Sequence, residues 1–478
     1  MLTKNVGKMI AGLVAVFTLT GCGDGVMYVD RALFNPPADA VHGFLGYYDQ
    51  ADKKTACGNC HVGIQADWET TKHAVAYDGL VSSGYAQDYC YGCHTVNDLG
   101  NPISEPAGWN AVQDTLYHDV QCESCHGPGL EHVTNPDATQ PLASIDVSYT
   151  VDAATSCAEC HQGSHHPFAE EWSQSAHATP IAYVTGRSDP SSCIGCHTAQ
   201  GALKAWGEAD AYVEATLAAP DHEGITCAVC HDPHGSENTA QLRFPIDEPN
   251  AQTNLCMKCH HKRAEPEVDA STLRGPHSPE GPLLLGEGAG WFPPGFTPQT
   301  NRIFGSHGST GNPGTCATCH VSGYTATDAE TGAFVFSATG HLFLAIPCVD
   351  AQGIPTTNQT CTLPERQFES GCTGAGCHAT GDVARNAYTT ATTRIANLVA
   401  DVDALLALPA VAPEFNRFDG IFTVADGAWF NARLGELPGT AIHNPFLAEQ
   451  LLVASIQAIK DTYGVTVPAP LASLELEL

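Results

Sequence analysis

The sequence predicts a mostly irregular fold of short α-helices with little or no β-sheet, its core filled by bound groups rather than by side chains. Three observations predict it. A five-residue phrase, Cys-x-x-Cys-His, recurs along the stretch from Cys57 to His378. Gly (46) and Pro (31) are frequent enough to break most regular structure between its copies. Each copy has only roughly 50 residues to itself, too few for a conventional core around each one.

The eight regular copies pair Cys57 with Cys60 before His61, Cys90 with Cys93 before His94, Cys122 with Cys125 before His126, and Cys157 with Cys160 before His161. They continue with Cys193 and Cys196 before His197, Cys227 and Cys230 before His231, Cys256 and Cys259 before His260, and Cys316 and Cys319 before His320. A ninth, with two extra residues, is Cys372-Thr-Gly-Ala-Gly-Cys377-His378. Composition alone would give about 0.04 such phrases in a chain with this many Cys and His. Zinc sites and disulfide frameworks do not require a His directly after every second Cys. The spacing is that of covalent c-type haem: two thiols form thioethers with the porphyrin and the adjacent imidazole is the proximal iron ligand. Nine covalently bound haem c groups are expected, and they make the core.

Residues 1–21 read as an export signal, with Lys4 and Lys8 ahead of the apolar stretch Met9 to Leu19. Leu19-Thr20-Gly21-Cys22 resembles a lipoprotein cleavage site, making Cys22 the lipid anchor; the alternative is an ordinary cleaved signal. Residues 22–56 are then an anchor linker. The net charge of −32 repels nucleic acid and favours solubility, with basic redox proteins as secondary partners.

An internal repeat follows. Residues 57–148 and 149–250 each carry a motif, then Trp and His-Ala (Trp68…His73, Trp172…His177), then Cys-x-Gly-Cys-His-Thr, a second Trp (Trp109, Trp206), a His (His118, His222) and a third motif. These are tandem tri-haem modules. Residues 251–388 hold three more motifs at wider intervals. Cys348 and Cys361 there form a disulfide in an exported protein; alternatively Cys361 replaces Cys372 in the elongated motif. Residues 389–478 make a helical lid. Ile395, Leu398, Val399, Val402, Leu405 and Leu406 keep a helical period, and Asn444-Pro445 opens a second helix that Gly464 closes.

The sixth iron position decides between carrier and catalyst. Beyond the signal only Met27 and Met257 are available, and Met257 lies inside a motif. Histidine is abundant: of 23, nine are proximal. The candidate distal ligands are His73, His118 and His132 in the first module, His177, His222 and His234 in the second, and His277, His307, His341 and His443 beyond. His42, His165, His166 and His261 are left over. Two imidazoles per iron place a haem towards the low-potential end of the axial-ligand range.

Cys122-Glu-Ser-Cys-His-Gly-Pro-Gly-x-x-His132, Cys227-x-x-Cys-His-Asp-Pro-His-Gly235 and Trp-x-x-x-x-His-Ala resemble phrases of the bacterial multihaem c-type cytochromes. With the lipoprotein signal, the chain looks most like outer-membrane members of metal-reducing bacteria. The resemblance covers roughly residues 57–380. It implies an electron carrier of anaerobic respiration at the cell surface, alternatively in the periplasm. Its partners would be periplasmic or porin-associated cytochromes, extracellular metal oxides or shuttles. Enzyme relatives acting on nitrite, hydroxylamine or tetrathionate imply a rival with one open iron, and filament-forming cytochromes imply a third reading. Ile442-His443-Asn444-Pro445 also resembles a helix start in the enzyme relatives, where such a His ligates haem.

Overall fold

Most of the regular motifs fold as one tight turn in which the backbone N–H of the His donates back to the carbonyl of the first Cys; in the second motif His94 N donates to Tyr91 O instead. The N···O distances are 3.0 Å in His61–Cys57, 2.9 Å in His126–Cys122, 2.9 Å in His161–Cys157 and 3.0 Å in His260–Cys256. This i to i+4 closure sets two thiols and an imidazole on one patch of surface. In the computed structural model, residues 42–466 are described apart from 101–102, 104, 138, 151–152, 181–183, 185–187, 190, 209–210, 216–221, 298–305, 358 and 375–376. The export segment and Cys22 lie outside the described residues.

Between motifs the chain is a run of short helices and loops, as the Gly and Pro content predicts. Among the described residues the strands amount to three two-stranded antiparallel ribbons. They are β1 (Tyr47–Asp49) with β2 (Lys54–Thr55), β3 (Tyr149–Thr150) with β4 (Ala153–Ala154), and β5 (Tyr324–Thr327) with β6 (Phe334–Ala338). Side-chain cores are correspondingly small. One gathers Phe44, Val96, Ala107 and Tyr117; another gathers Ile145, Ala199, Ala202, Leu203, Tyr212 and Val229. Among the described residues no helix is long and apolar enough to cross a membrane.

The tandem repeat is visible in the backbone. α1 (Val62–Trp68) and α2 (Phe168–Gln174) end near equivalent tryptophans. Trp68 Nε1 donates to the Val120 carbonyl at 3.0 Å, and Trp172 Nε1 to the Ile225 carbonyl at 2.8 Å. The His73 carbonyl accepts from Val120 N and the His177 carbonyl from Ile225 N. In both modules a buried indole thus ties the His-Ala phrase to the stretch before the third motif. α3 (Ala199–Trp206) follows the fifth motif, capped by the Thr198 hydroxyl.

A carboxylate does similar work in the first module. Glu123, inside the third motif, accepts from Leu45 N at 2.9 Å, Gly46 N at 2.8 Å and Gly129 N at 2.7 Å. Gly46 has φ +64, and a Cβ there would meet the Leu116 carbonyl oxygen at 2.5 Å, so glycine is required for this close approach.

The C-terminal region is a conventional helical bundle. α4 (Gly381–Leu406) begins before the expected start at 389, capped by Thr380, and buries the apolar stripe read from the sequence. α5 (Val424–Glu436) was not foreseen; its buried face mixes Ala425, Gly427, Ala428 and Ala432 with the polar Asp426 and Asn431 and with Phe430 and Leu434. α6 (Thr440–His443) is one turn, and α7 (Pro445–Tyr463) starts at an Asn444 cap and stops at Gly464 with φ 65, as expected. Leu434, Leu447 and Leu451 pack with Ala264, Leu283 and Ala289, seating the bundle on the segment after the seventh motif. Cys348 and Cys361 are joined in a disulfide, which leaves Cys372 to the ninth motif.

Leu451→Ala should remove about 2–5 kcal/mol of stability, the range for a buried Leu whose site cannot collapse, and calorimetry of the holoprotein would record it. Glu123→Gln puts an amide NH₂ where N–H donors converge. It should cost about 1–3 kcal/mol, measurable as a lowered denaturation midpoint with the absorbance of the native protein unchanged.

Candidate haem sites

The proximal imidazoles are aimed by their Nδ1 atoms. His94 Nδ1 lies 2.8 Å from the Ala76 carbonyl, His126 Nδ1 2.6 Å from Pro141 O, His231 Nδ1 2.8 Å from Ala240 O and His320 Nδ1 2.9 Å from Phe343 O. A carbonyl accepts only from N–H, so the proton is held on Nδ1 and Nε2 keeps the lone pair that iron requires. Two distal candidates are held the same way: His132 Nδ1 against Thr139 O and His307 Nδ1 against Ile442 O, each at 2.6 Å.

Eight of the nine motif histidines face a second imidazole across a nearly constant gap. Ring centres are 6.3 Å apart for His61 and His132, 6.2 Å for His161 and His73, 6.2 Å for His126 and His234, and 6.3 Å for His260 and His177. The distances are 5.9 Å for His197 and His277, 6.3 Å for His231 and His341, 6.2 Å for His378 and His307, and 6.1 Å for His320 and His443. Metal–imidazole bonds of about 2.0 Å on each side, with roughly 1 Å from nitrogen to ring centre, put two ring centres about 6 Å apart. The residues fit a haem iron between them.

The electrostatics fit as well. Burial, then the charge of neighbouring imidazoles, pushes His161, His177 and His443 down to about 4, and burial chiefly does the same to His341. Each stays neutral and able to ligate. His260 differs: burial lowers it, but the Glu280 carboxylate 3.3 Å from its Nδ1 raises it further, for a net upward shift. A carboxylate behind a proximal imidazole strengthens it as a donor.

The pairing crosses module boundaries. His73 of the first module faces the first motif of the second, and His177 of the second faces the first motif of the next region. His234 reaches back to the third motif of the first module, and His341 to that of the second. Sequence equivalence reported role, not partner. His132 and His234, the loosest match in the repeat, differ because one turns to its own module and the other to its neighbour. His118 faces no motif histidine; its ring stacks on Tyr77 with centres 3.4 Å apart and lies 5.2 Å from Trp109. His222 is buried before Glu223, whose carbonyl and N–H join Ala199 and Gln200 of α3.

Sequence reasoning missed the carboxylates. Glu171 of α2 accepts from His341 N at 2.7 Å and from Thr339 N at 2.9 Å, and so fixes His341 opposite His231 from 170 residues away. No local pattern marks such an acid.

The motif thiols trace the order of the sites. Cys57 contacts Cys122, Cys125 lies by Cys157, and Cys157 contacts Cys227. Cys230 lies by Cys256 and Cys259, Cys256 contacts Cys316, and Cys319 lies by Cys372 and Cys377. The line therefore runs through motifs one, three, four, six, seven, eight and nine. The second motif branches off the fourth through Cys93 and Cys160, and the fifth off the seventh through Cys196 and Cys259.

Comparisons with known proteins agree with this architecture. Residues 56–127 match the family model "Cytochrome c554 and c-prime", and residues 219–265 match the "Doubled CXXCH motif". The multiheme cytochrome MtrA of Shewanella baltica (strain OS185) is 28% identical over 173 residues, 31% of this chain. The match spans 44% of that relative's length. The crystal structure of outer cell wall cytochrome OcwA superposes with a TM-score of 0.54 at 19% identity, over 87% of this chain and all of the other. Covalent haem motifs, imidazoles opposed at iron width and this fold place the chain among the multihaem c-type cytochromes.

Proposed function

We propose that the protein is a nine-haem electron conduit, exported and held at the outer membrane by lipid on Cys22, that passes electrons in anaerobic respiration such as metal reduction. The observation that carries this reading is the unbroken line of seven attachment sites, each with an imidazole on both sides. Haem supplies one-electron chemistry when bound, and opposed imidazoles keep its geometry nearly the same in both oxidation states. The chain's own work is to fix the order of the sites, close their faces and set their potentials. Two imidazoles per iron and the carboxylate behind His260 favour low potential.

The two ends of the line lie at opposite ends of the sequence, at Cys57 and at Cys377, which suits a protein that accepts electrons at one place and delivers them at another. The partners are other redox proteins, and extracellular metal oxides or shuttles at the delivery end. The acidic surface, −32 by formal count, favours basic patches on those partners.

Iron analysis and mass spectrometry should find nine haems per chain, and film voltammetry should count nine electrons exchanged reversibly. Fewer than nine would end the nine-haem count, and fewer than seven the continuous line. His73→Met should raise the potential of the fourth site by on the order of 0.2 V, within the roughly 0.8 V that axial ligands span. Because that site lies mid-line, interfacial exchange should slow as well. An unmoved voltammogram would show that His73 is not the ligand.

A further inference from the structure

The fifth and seventh sites are neighbours of opposite electrostatic character. Their thiols meet through Cys196 and Cys259, and only the seventh lies on the line. The fifth, built from Cys193, Cys196 and His197 with His277 opposite, is a branch end.

Cations are scarce in this chain, with 20 Lys and Arg against 52 acids. Three of them, Lys262, Arg263 and Arg274, lie in the loop that delivers His277. Arg263 is tied to that loop twice: its carbonyl accepts from His277 N at 3.3 Å, and its Nη1 donates to the Gly275 carbonyl at 3.0 Å. It adopts φ +41 there, a conformation uncommon for a residue with a side chain. A single carboxylate, Glu267, serves two guanidiniums, at 3.7 Å from Arg263 Nε and 2.7 Å from Arg274 Nη2. Glu265 and Asp269 complete the acids of the loop and are exposed. The balance at the ring is positive. Burial, then the Arg263 charge, holds the His277 imidazole below its usual value; Lys262 and Arg274 push the same way, and Glu280 the other.

At the seventh site the sign reverses. Glu280 Oε2 lies 3.3 Å from His260 Nδ1, behind the proximal imidazole. The cation of that motif, Lys258, is drawn over the Phe244 ring, 3.8 Å from its centre. Nor does His234 share the pattern of His277. Asp232 lies 3.6 Å from its Nδ1 and also pairs with the nearby Arg243 at 3.0 Å.

Reduction adds one negative charge at iron. Fixed cations favour the reduced form by Coulomb attraction, and a carboxylate behind a ligating imidazole favours the oxidised form by making that imidazole a stronger donor. Arginine keeps its charge throughout the pH range of a folded protein. The sign is the same whether the guanidiniums act on iron or on the propionates that the porphyrin carries.

We propose that Lys262, Arg263 and Arg274 set the fifth site above the seventh in potential, so that the branch stores an electron beside the line. One electron passes from ferrous iron at the seventh site to ferric iron at the fifth, leaving the seventh ferric and able to take the next from the line. The reverse transfer drains the store once the line is oxidised. This deepens the conduit reading and rests on it for the supply of electrons.

Film voltammetry and spectroelectrochemical titration of the holoprotein test it. Glu280→Gln should move one component upward by about tenfold in its reduction equilibrium, on the order of 59 mV for one electron. Arg263→Gln with Arg274→Gln should move a different component downward by a similar factor. Arg263→Lys, which keeps the charge, should leave that component in place. Cys193→Ala with Cys196→Ala should delete the component that the arginine pair moves, and in the unaltered protein it should lie above the one that Glu280→Gln moves. The proposal is overturned if the arginine pair moves nothing or raises a potential, if Arg263→Lys lowers it as far as Gln does, if Glu280→Gln moves nothing, or if the deleted component lies below the Glu280 one. Absence of interfacial exchange in the unaltered protein would instead end the conduit reading, while the order of the two potentials stays readable by titration.

Discussion

Imidazoles from distant parts of the chain, opposed at the width of one iron, are the constraint on which the rest of the structure depends. Within the eight regular motifs the sequence separation is four residues, six in the ninth, and the turn is local. The opposing imidazole comes from 71 to 123 residues away in the pairs His61 with His132, His126 with His234, His231 with His341 and His320 with His443. Each such pair closes a long loop, which a flexible chain does at a cost that grows only slowly with length. Metal coordination can meet that cost where side-chain burial is thin. This is why the small apolar clusters between motifs, four to six buried residues each, suffice to hold loops rich in Gly and Pro.

The same constraint explains where carboxylates are buried. A distal imidazole is useful only if its loop holds position to a fraction of an ångström. Glu171 does this for His341, and Glu123 ties the segment at Leu45 to the third motif. Both acids collect backbone N–H groups rather than cations, so they fix backbone and not merely charge. The C-terminal bundle plays the corresponding part for His443. The Asn444 cap and the packing of Leu447 and Leu451 hold the turn of α6, and His443 projects from that turn towards His320.

What was legible in the sequence was whatever depends on neighbours along the chain. Motif turns, the Asn444 and Gly464 helix ends and the stripe of α4 follow from spacing alone. The repeat was legible too, down to the tryptophans that make equivalent hydrogen bonds. Partnership was not. His73 and His177 occupy equivalent places and each turns to the next unit along, whereas His132 and His234 are equivalent in sequence and turn opposite ways. Nothing in a one-dimensional spacing distinguishes these cases, because the deciding contacts lie about 70 or more residues away. His118 illustrates the same limit: its position matches a ligand, yet Tyr77 and Trp109 offer its ring a closer surface. α5 escaped for a different reason, since its buried face carries Asp426 and Asn431 among the apolar residues and so breaks the apolar stripe.

The branched order of the sites gives the repeat a physical logic. In each module the first and third motifs lie on the line, and the second projects from it towards the first motif of the next unit. Continuity therefore needs only two of every three sites, and the third is free to differ. In the second module that site is closed by His277, from outside the repeat. A substitution that opened an iron on the line would change its spin state and geometry on reduction and slow every electron that crosses it, whereas opening a branch end adds chemistry without interrupting the path.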